Sequence, residues 1–280
     1  MKISTLNKSL SLDTPQVMGI LNTTPDSFSD GGSYTELELA LNHAREMIDA
    51  GATIIDVGGE STRPGAPEVS IEEELRRVVP IIHAIREFSD VWISIDTSKA
   101  QVMEAAIQAG ADLINDIRAL REPGALDVAA KYHVPVCIMH MQGQPRTMQH
   151  SPNYENDDVL ADVDAFLAER IDACVQAGVA RENIILDPGF GFGKTIAHNY
   201  HLLANLEHFH HFSLPILAGM SRKSMIYKAL DKTPNDIVVE SVTCASIAAM
   251  KGAQIIRVHD VEETAKAMQI VKLVQQNKSF

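Results

Sequence analysis

Eight places in the chain carry a polar or charged side chain where a short apolar run gives way to a loop. They are Asn22, Asp56, Asp96, Asn115, His140, Asp187, Arg222 with Lys223 beside it, and Arg257 followed by His259. A single Asp or Asn at such an exit is ordinary helix-cap or turn chemistry. Amides, carboxylates, an imidazole and cations gathered on one rim instead form a site for a polar, partly anionic ligand. No run carries a comparable load at its start.

Other stretches invite chemistry and do not support it. GFGFGKT (189–195) resembles a phosphate loop, but GxxxxGK[ST] requires glycine at 188, where Pro188 stands. His208, His210 and His211 in EHFHHF read as surface or local packing, because the neighbouring sequence offers no set of partner ligands. The acids Asp157, Asp158, Asp162 and Asp164 open a helix with favourable dipole charges.

The polar positions need a scaffold, and a repeat supplies one. AGATIIDVGGE (50–60), AGADLINDIRA (109–119), AGVARENIILDPG (177–189) and KGAQIIRVHDV (251–261) share one order: helical pattern, glycine, apolar run, polar ending. The glycine fits the left-handed residue that closes a helix, and the β-branched run fits a buried strand. VMGIL (17–21), VWISI (91–95), VPVCIM (134–139) and LPIL (214–217) complete eight candidate strands. Helical patterns fill the gaps: Ser70 to Glu73 reads as a capping box, and Asp260 with Glu263 as a similar start to the last helix. Eight strands alternating with helices and no linker predict a single α/β domain over 1–280, a (β/α)8 TIM barrel, with an open doubly wound sheet as the alternative. In such a barrel the strands' C-terminal ends surround the active site.

Composition narrows the function. A net charge of −13 argues against a nucleic-acid or anionic-membrane partner, since an excess of Lys and Arg would be needed to neutralise phosphates. Cys137, Cys174 and Cys244 show no metal or disulfide spacing and predict buried thiols in a reducing cytoplasm. The N-terminal segment lacks a signal-peptide core, and no run suits a membrane span.

Seven ordered motifs, GILNTTPDSFSDGG, DVGGESTRPGA, ISIDTSK, LINDI, DPGFGFGK, LAGMSRKS and IIRVHDV, make the chain resemble the dihydropteroate synthases of the pterin-binding barrel family from about residue 16 to the last helix. The resemblance implies a transferase of folate biosynthesis that joins 6-hydroxymethyl-7,8-dihydropterin pyrophosphate to 4-aminobenzoate, releasing pyrophosphate. It places the pterin on Asp96, Asn115, Asp187 and Lys223, with Ile117, Met139 and Phe192 against the ring and Arg257 stacked on it. It places the pyrophosphate on Asn22, Thr62, Arg63, Arg257 and His259, with Mg2+ held by Asn22 and by substrate oxygens. The aminobenzoate falls among Phe28, Thr62, Arg63, Pro64, Phe192, Lys223 and Ser224, where sulfonamides would compete.

Asp96, Lys223, Asp30 and Phe28 are then the expected catalytic residues of a dissociative, SN1-like displacement. The loop after Leu21, with Gly31 and Gly32, is expected to act as a lid. The rival activities are a pterin-binding methyltransferase and a non-catalytic pterin-binding barrel. A methyltransferase would not call for the TRPG, MSRKS and RVH motifs together, and a non-catalytic barrel would have lost a cation or Asn22. The family also implies a homodimer, built on the helices around 236–250 and 261–275.

Overall fold

The glycine of each repeated joint adopts the predicted left-handed conformation, with φ of 106° at Gly51, 117° at Gly110, 100° at Gly178 and 92° at Gly252. Each lets a helix stop and the chain reverse into the sheet. The computed structural model describes residues 1–23, 33–61, 66–143, 148, 152–154 and 158–277.

The strands are β1 Lys2–Ser4, β2 Ser9–Ser11, β3 Gln16–Asn22, β4 Ile54–Gly58, β5 Trp92–Asp96, β6 Leu113–Asp116, β7 Val136–Met139, β8 Ile184–Asp187, β9 Leu217–Ala218 and β10 Ile255–Val258. The helices are α1 Ser33–Asp49, α2 Ile71–Phe88, α3 Ala100–Ala109, α4 Ala125–Tyr132, α5 Val159–Ala177, α6 Ile196–Ala204, α7 Ser224–Tyr227, α8 Val238–Met250 and α9 Val261–Gln276. Strands β3 to β10 form one parallel sheet in the order β8-β7-β6-β5-β4-β3-β10-β9. A parallel bridge between Leu186 and Ile216 joins its two ends. The fold is the predicted (β/α)8 barrel, and the open-sheet alternative falls.

Strand alternation sorts the core into two sets. Outward residues such as Val17, Ile55, Ile93, Ile114, Ile138, Leu186 and Ile256 pack under the helices. Inward residues begin with one apolar layer, Met18, Ile54, Trp92, Leu113, Cys137, Ile185, Leu217 and Ile255, one from each strand. Burying each large member contributes about 1.5–3 kcal/mol.

The antiparallel β1–β2 hairpin closes this end, with Ile3, Leu10 and Leu12 packed on the layer. Sequence patterning did not foresee this plug.

Three local expectations are corrected. The LPIL run pairs over Leu217–Ala218, because Pro215 has no N–H to give and offers only its carbonyl, which accepts from Leu186 N at 2.8 Å. At the start of α9, Asp260 makes no side-chain cap and instead pairs with Arg222, whose Nη2 donates to its Oδ1 at 2.5 Å. Ser70 does cap α2, accepting from Glu73 N at 3.2 Å, but the Glu73 carboxylate accepts from Arg76 and Arg77 instead of closing the expected box.

Candidate active site

Two residues beyond the apolar layer, the inward positions change character. Ile54 is followed by Asp56, Trp92 by Ser94, Leu113 by Asn115, Cys137 by Met139, Ile185 by Asp187 and Ile255 by Arg257. One barrel thus has a hydrophobic floor and, toward the strands' C-terminal ends, a polar chamber.

Arg257 organises that chamber. Its Nε donates to Asp56 Oδ2 at 2.6 Å and its Nη2 to Asp96 Oδ2 at 2.7 Å, while Asn115 Nδ2 donates to the same Asp56 oxygen at 3.1 Å. Asp56 is fully buried, and its Oδ1 and the Ser94 hydroxyl have no hydrogen-bond partner among the described residues. Burial pushes the Asp96 carboxyl up to about 7, against the pull of Arg257 and reinforced by Asp56. Burial alone would lower the Arg257 guanidinium, but Asp56 and Asp96 raise it, so it stays charged.

A second cluster stands on β8 and the loop after β9. Asp187 Oδ1 accepts from Gly189 N at 2.7 Å, so the residue both shapes its turn and keeps carboxylate capacity for a ligand. Burial raises the Asp187 carboxyl, resisted by Lys223. Burial pushes Lys223 down to about 8, resisted by Asp187 and assisted by Arg257. Lys223 Nζ donates to Phe190 O at 2.6 Å and lies 4.5 Å from the centre of the Phe192 ring. Ser224 follows as the first residue of α7. Met139, Met141, Met148 and Phe192 form one apolar cluster, with Ile117 packed against it. The chamber therefore has a flat apolar wall next to carboxylate, amide and cationic groups.

The rim holds the remaining candidates. Asn22 ends β3, and the missing side chain of Gly58 opens space beside it: a Cβ there would stand 3.8 Å from Asn22 Oδ1 and 3.7 Å from Asp96 Oδ2. A hard oxygen donor beside such a gap fits a Mg2+ ion that takes its other ligands from water and substrate. His259 is anchored by Ser221, whose Oγ accepts from His259 N at 3.1 Å and lies 3.1 Å from its Nδ1. A cleft of 750 Å³ opens next to Asp96 and Ile117, bordered also by Glu60, Lys99 and Arg118. Phe28, Asp30, Thr62, Arg63 and Pro64 lie outside the described residues, as does the expected lid.

The chamber also recruits residues that sequence reasoning missed. Asp56 had a place on the rim but no role, and it is the deepest partner of Arg257. Lys194, part of the rejected phosphate-loop pattern, is buried with its Nζ 2.9 Å from His140 Nδ1. The one available signal was a lysine closing a glycine-rich turn after a strand. The EHFHHF histidines do have a partner: Asp164 Oδ2 lies 3.2 Å from His208 Nε2 and 2.5 Å from His211 Nε2. Both rings meet one carboxylate oxygen at hydrogen-bond distance, so the group is a surface cluster that satisfies itself. The three cysteines are free and buried, as expected.

Comparison with known proteins agrees with this chemistry. The model of the pterin binding enzyme family matches residues 18–259. The dihydropteroate synthase of Escherichia coli K12 is 58% identical over the whole of both chains. A Yersinia pestis dihydropteroate synthase solved with a sulfonamide drug complex superposes with a TM-score of 0.94 at 59% identity, covering 99% of this chain and 100% of its own. The Xanthomonas albilineans enzyme in complex with 7,8-dihydropteroate gives 0.89 at 44% identity, over 98% and 99%. With the barrel, its polar chamber and full-length relatives in accord, the chain belongs to the pterin-binding enzymes, in their dihydropteroate synthase branch.

Proposed function

We propose that the polar chamber carries out the dihydropteroate synthase reaction through the residues described above, with 1–280 acting as one domain. The reaction joins 6-hydroxymethyl-7,8-dihydropterin pyrophosphate to 4-aminobenzoate, giving 7,8-dihydropteroate and pyrophosphate. The observation that carries the assignment is the placement of Asp187 and Lys223, each within electrostatic reach of the other, beside the Phe192, Met139 and Ile117 wall. A pterin edge presents a ring N–H, an amino group and a carbonyl. Asp187 accepts the first two as parallel charge-assisted bonds, and Lys223 donates to the third. Asn115 and Asp96 complete the polar edge, and the apolar wall takes the ring face.

The arylamine is unprotonated at neutral pH, so its attack needs no strong base. The harder event is departure of pyrophosphate, which favours an SN1-like path with positive charge spreading from the methylene into the electron-rich pterin. Asp96, with Asp30 from the opening loop, faces that developing cation, while Arg257, Arg63 and His259 receive the leaving diphosphate. Arg257 gives Nε to Asp56 and one Nη2 N–H to Asp96, which leaves further N–H groups of its five for the diphosphate. Mg2+, held by Asn22 and substrate oxygens, would supply further charge neutralisation for the diphosphate. Phe28, Thr62, Arg63, Pro64 and Ser224 frame the aminobenzoate with Phe192 and Lys223. Closure of the loop carrying Phe28 excludes water that would compete with the amine.

We also assign a homodimer and a cytoplasmic location. Val239 and Ile247 on α8 and Ile270 and Leu273 on α9 are exposed apolar side chains on the two packed helices, which supports their burial against a second copy. Buried free thiols fit a reducing compartment, and among the described residues no helix is long and apolar enough to cross a membrane. Incubation with the pterin pyrophosphate, aminobenzoate and Mg2+ should yield dihydropteroate by mass spectrometry, with loss of product in Asp187→Asn. Product formed equally well by Asp187→Asn would overturn the pocket. Sedimentation at low protein concentration checks the dimer.

A further inference from the structure

We propose that Lys194 is a positioning residue of the pterin site: its buried amino group clamps the loop after β8 and, as the ammonium, favours the ionised form of Asp187. The inference rests on the pterin reading of Asp187 and Lys223 given above.

The clamp is visible in the hydrogen bonds. Lys194 Nζ lies 2.9 Å from His140 Nδ1, 2.9 Å from Gly189 O and 3.1 Å from Phe192 O, with His140 O at 3.4 Å. The ammonium donates to all three short partners, and the neutral amine meets the same three by donating to the two carbonyls and accepting from a His140 Nδ1–H; burial pushes Lys194 down to about 7, resisted by Asp187 and assisted by Lys223. His140 is neutral, since burial with the nearby Lys194 charge pushes its imidazole down to about 2, and toward the ammonium it accepts at Nδ1.

Residues 189–193 of the loop are each held by a hydrogen bond. Gly189 N donates to Asp187, Phe190 O accepts from Lys223, and Gly191 N donates to Asn199 Oδ1 at 2.7 Å. Phe192 O accepts from Lys194, and Gly193 O accepts from the Tyr154 hydroxyl at 2.7 Å. The loop thereby offers a fixed carbonyl and a fixed ring to Lys223.

The charge has a second consequence. Gly189 stands between Lys194 and Asp187, its N–H given to the carboxylate and its carbonyl to the ammonium. The backbone passes close here because residue 189 has no side chain: its φ is +73°, and a Cβ would come within 1.8 Å of His140 O. The charged or titratable groups around Lys194 are Asp187 of β8, Lys223 after β9, His140 after β7 with Arg121 beyond it, and Tyr154. Burial raises the Asp187 carboxyl, and Lys194 is one of the cations, with Lys223 and Arg257, that resist this. The ammonium form of Lys194 thus favours an ionised Asp187, able to accept from the pterin edge.

The test compares Lys194→Gln, which keeps an amide donor and loses the charge, with Lys194→Met, which loses both. Asp187→Asn and the Asp187→Asn, Lys194→Gln double variant are made alongside. Calorimetric binding of the pterin pyrophosphate should weaken ~10-fold in Lys194→Gln and further in Lys194→Met. In the Asp187→Asn background the Lys194→Gln effect should shrink to under ~3-fold, which a merely structural loop defect would not produce.

If Lys194→Met fails to fold by thermal melting, Lys194→Gln carries the comparison. Pterin binding within ~2-fold of the unmodified protein in a folded Lys194 variant, with binding weakened but still measurable in Asp187→Asn, overturns the inference and leaves the pterin site standing. An equal loss in both backgrounds overturns the charge role. Unchanged binding in Asp187→Asn overturns the pterin reading and this inference with it.

Discussion

Replacing Arg257 with methionine removes a guanidinium shared by two buried carboxylates. Asp56 is fully buried and Asp96 nearly so, and their bonds to Arg257 are 2.6 and 2.7 Å. Removing one partner of a buried ion pair strands the other, at a cost of about 3–5 kcal/mol. With a urea m-value of about 3 kcal/mol/M, the unfolding midpoint should fall by about 1 M or more near pH 8.

The same reasoning fixes how the loss varies with pH. Asp96 is already raised to about 7 from a value of 3.8, so between those limits the native state binds the proton that the unfolded state has released. This group therefore lowers stability as pH rises through that window, the reverse of a salt-bridged carboxylate. Without Arg257 the carboxyl rises further, so the destabilisation should be largest above pH 8 and partly relieved near pH 5.5. Urea titrations at both pH values measure it. A second substitution, Asp56→Asn, should restore part of the loss at pH 8, because it removes one of the stranded charges. A pH-independent loss below about 1 kcal/mol would show that Arg257 does not hold the chamber together.

Lys223, held at about 8, should lose its charge as pH rises through that value, so pterin affinity should decline on the alkaline side; calorimetry across pH 7–9.5 should show this limb, absent in Lys223→Met. Gly189→Ala would set a Cβ 1.8 Å from the backbone oxygen of His140 in a left-handed conformation, and thermal or urea unfolding should record a loss above about 2 kcal/mol. Asn22→Ala should raise the Mg2+ concentration for half-maximal turnover while leaving the melting temperature within a degree or two, read from a metal titration of initial rates.

What the sequence disclosed follows from what is local. The left-handed glycines at 51, 110, 178 and 252 and the polar strand ends are signals a few residues wide, and period-2 alternation carried the strand ends into one chamber. The pairings that were missed act across the barrel. Arg257 reaches partners 201 and 161 residues earlier, Lys194 finds His140 54 residues away, and Asp164 meets His211 47 residues later. No pattern of neighbours encodes such pairings. Asp260 shows the converse: its spacing to Glu263 promised a helix cap, but Arg222, brought close by β9 and β10, offered a charged partner instead.

This division also bears on how the site comes into being. Asp56 and Asp96 arrive with β4 and β5, whereas Lys194, Lys223 and Arg257 all lie beyond β8. A chain folded only as far as β7 would hold two carboxylates and Asn115 in its interior with no cation to answer them. Burying those charges unpaired costs several kcal/mol each, so such a fragment cannot adopt the native chamber with both ionised. The bridge from Leu186 to Ile216 and the pairing of β10 with β3 bring the cations into place as they close the barrel. Closure and assembly of the site are therefore one event, and Arg257, on the strand that meets β3, is the residue through which stability and pterin chemistry are coupled.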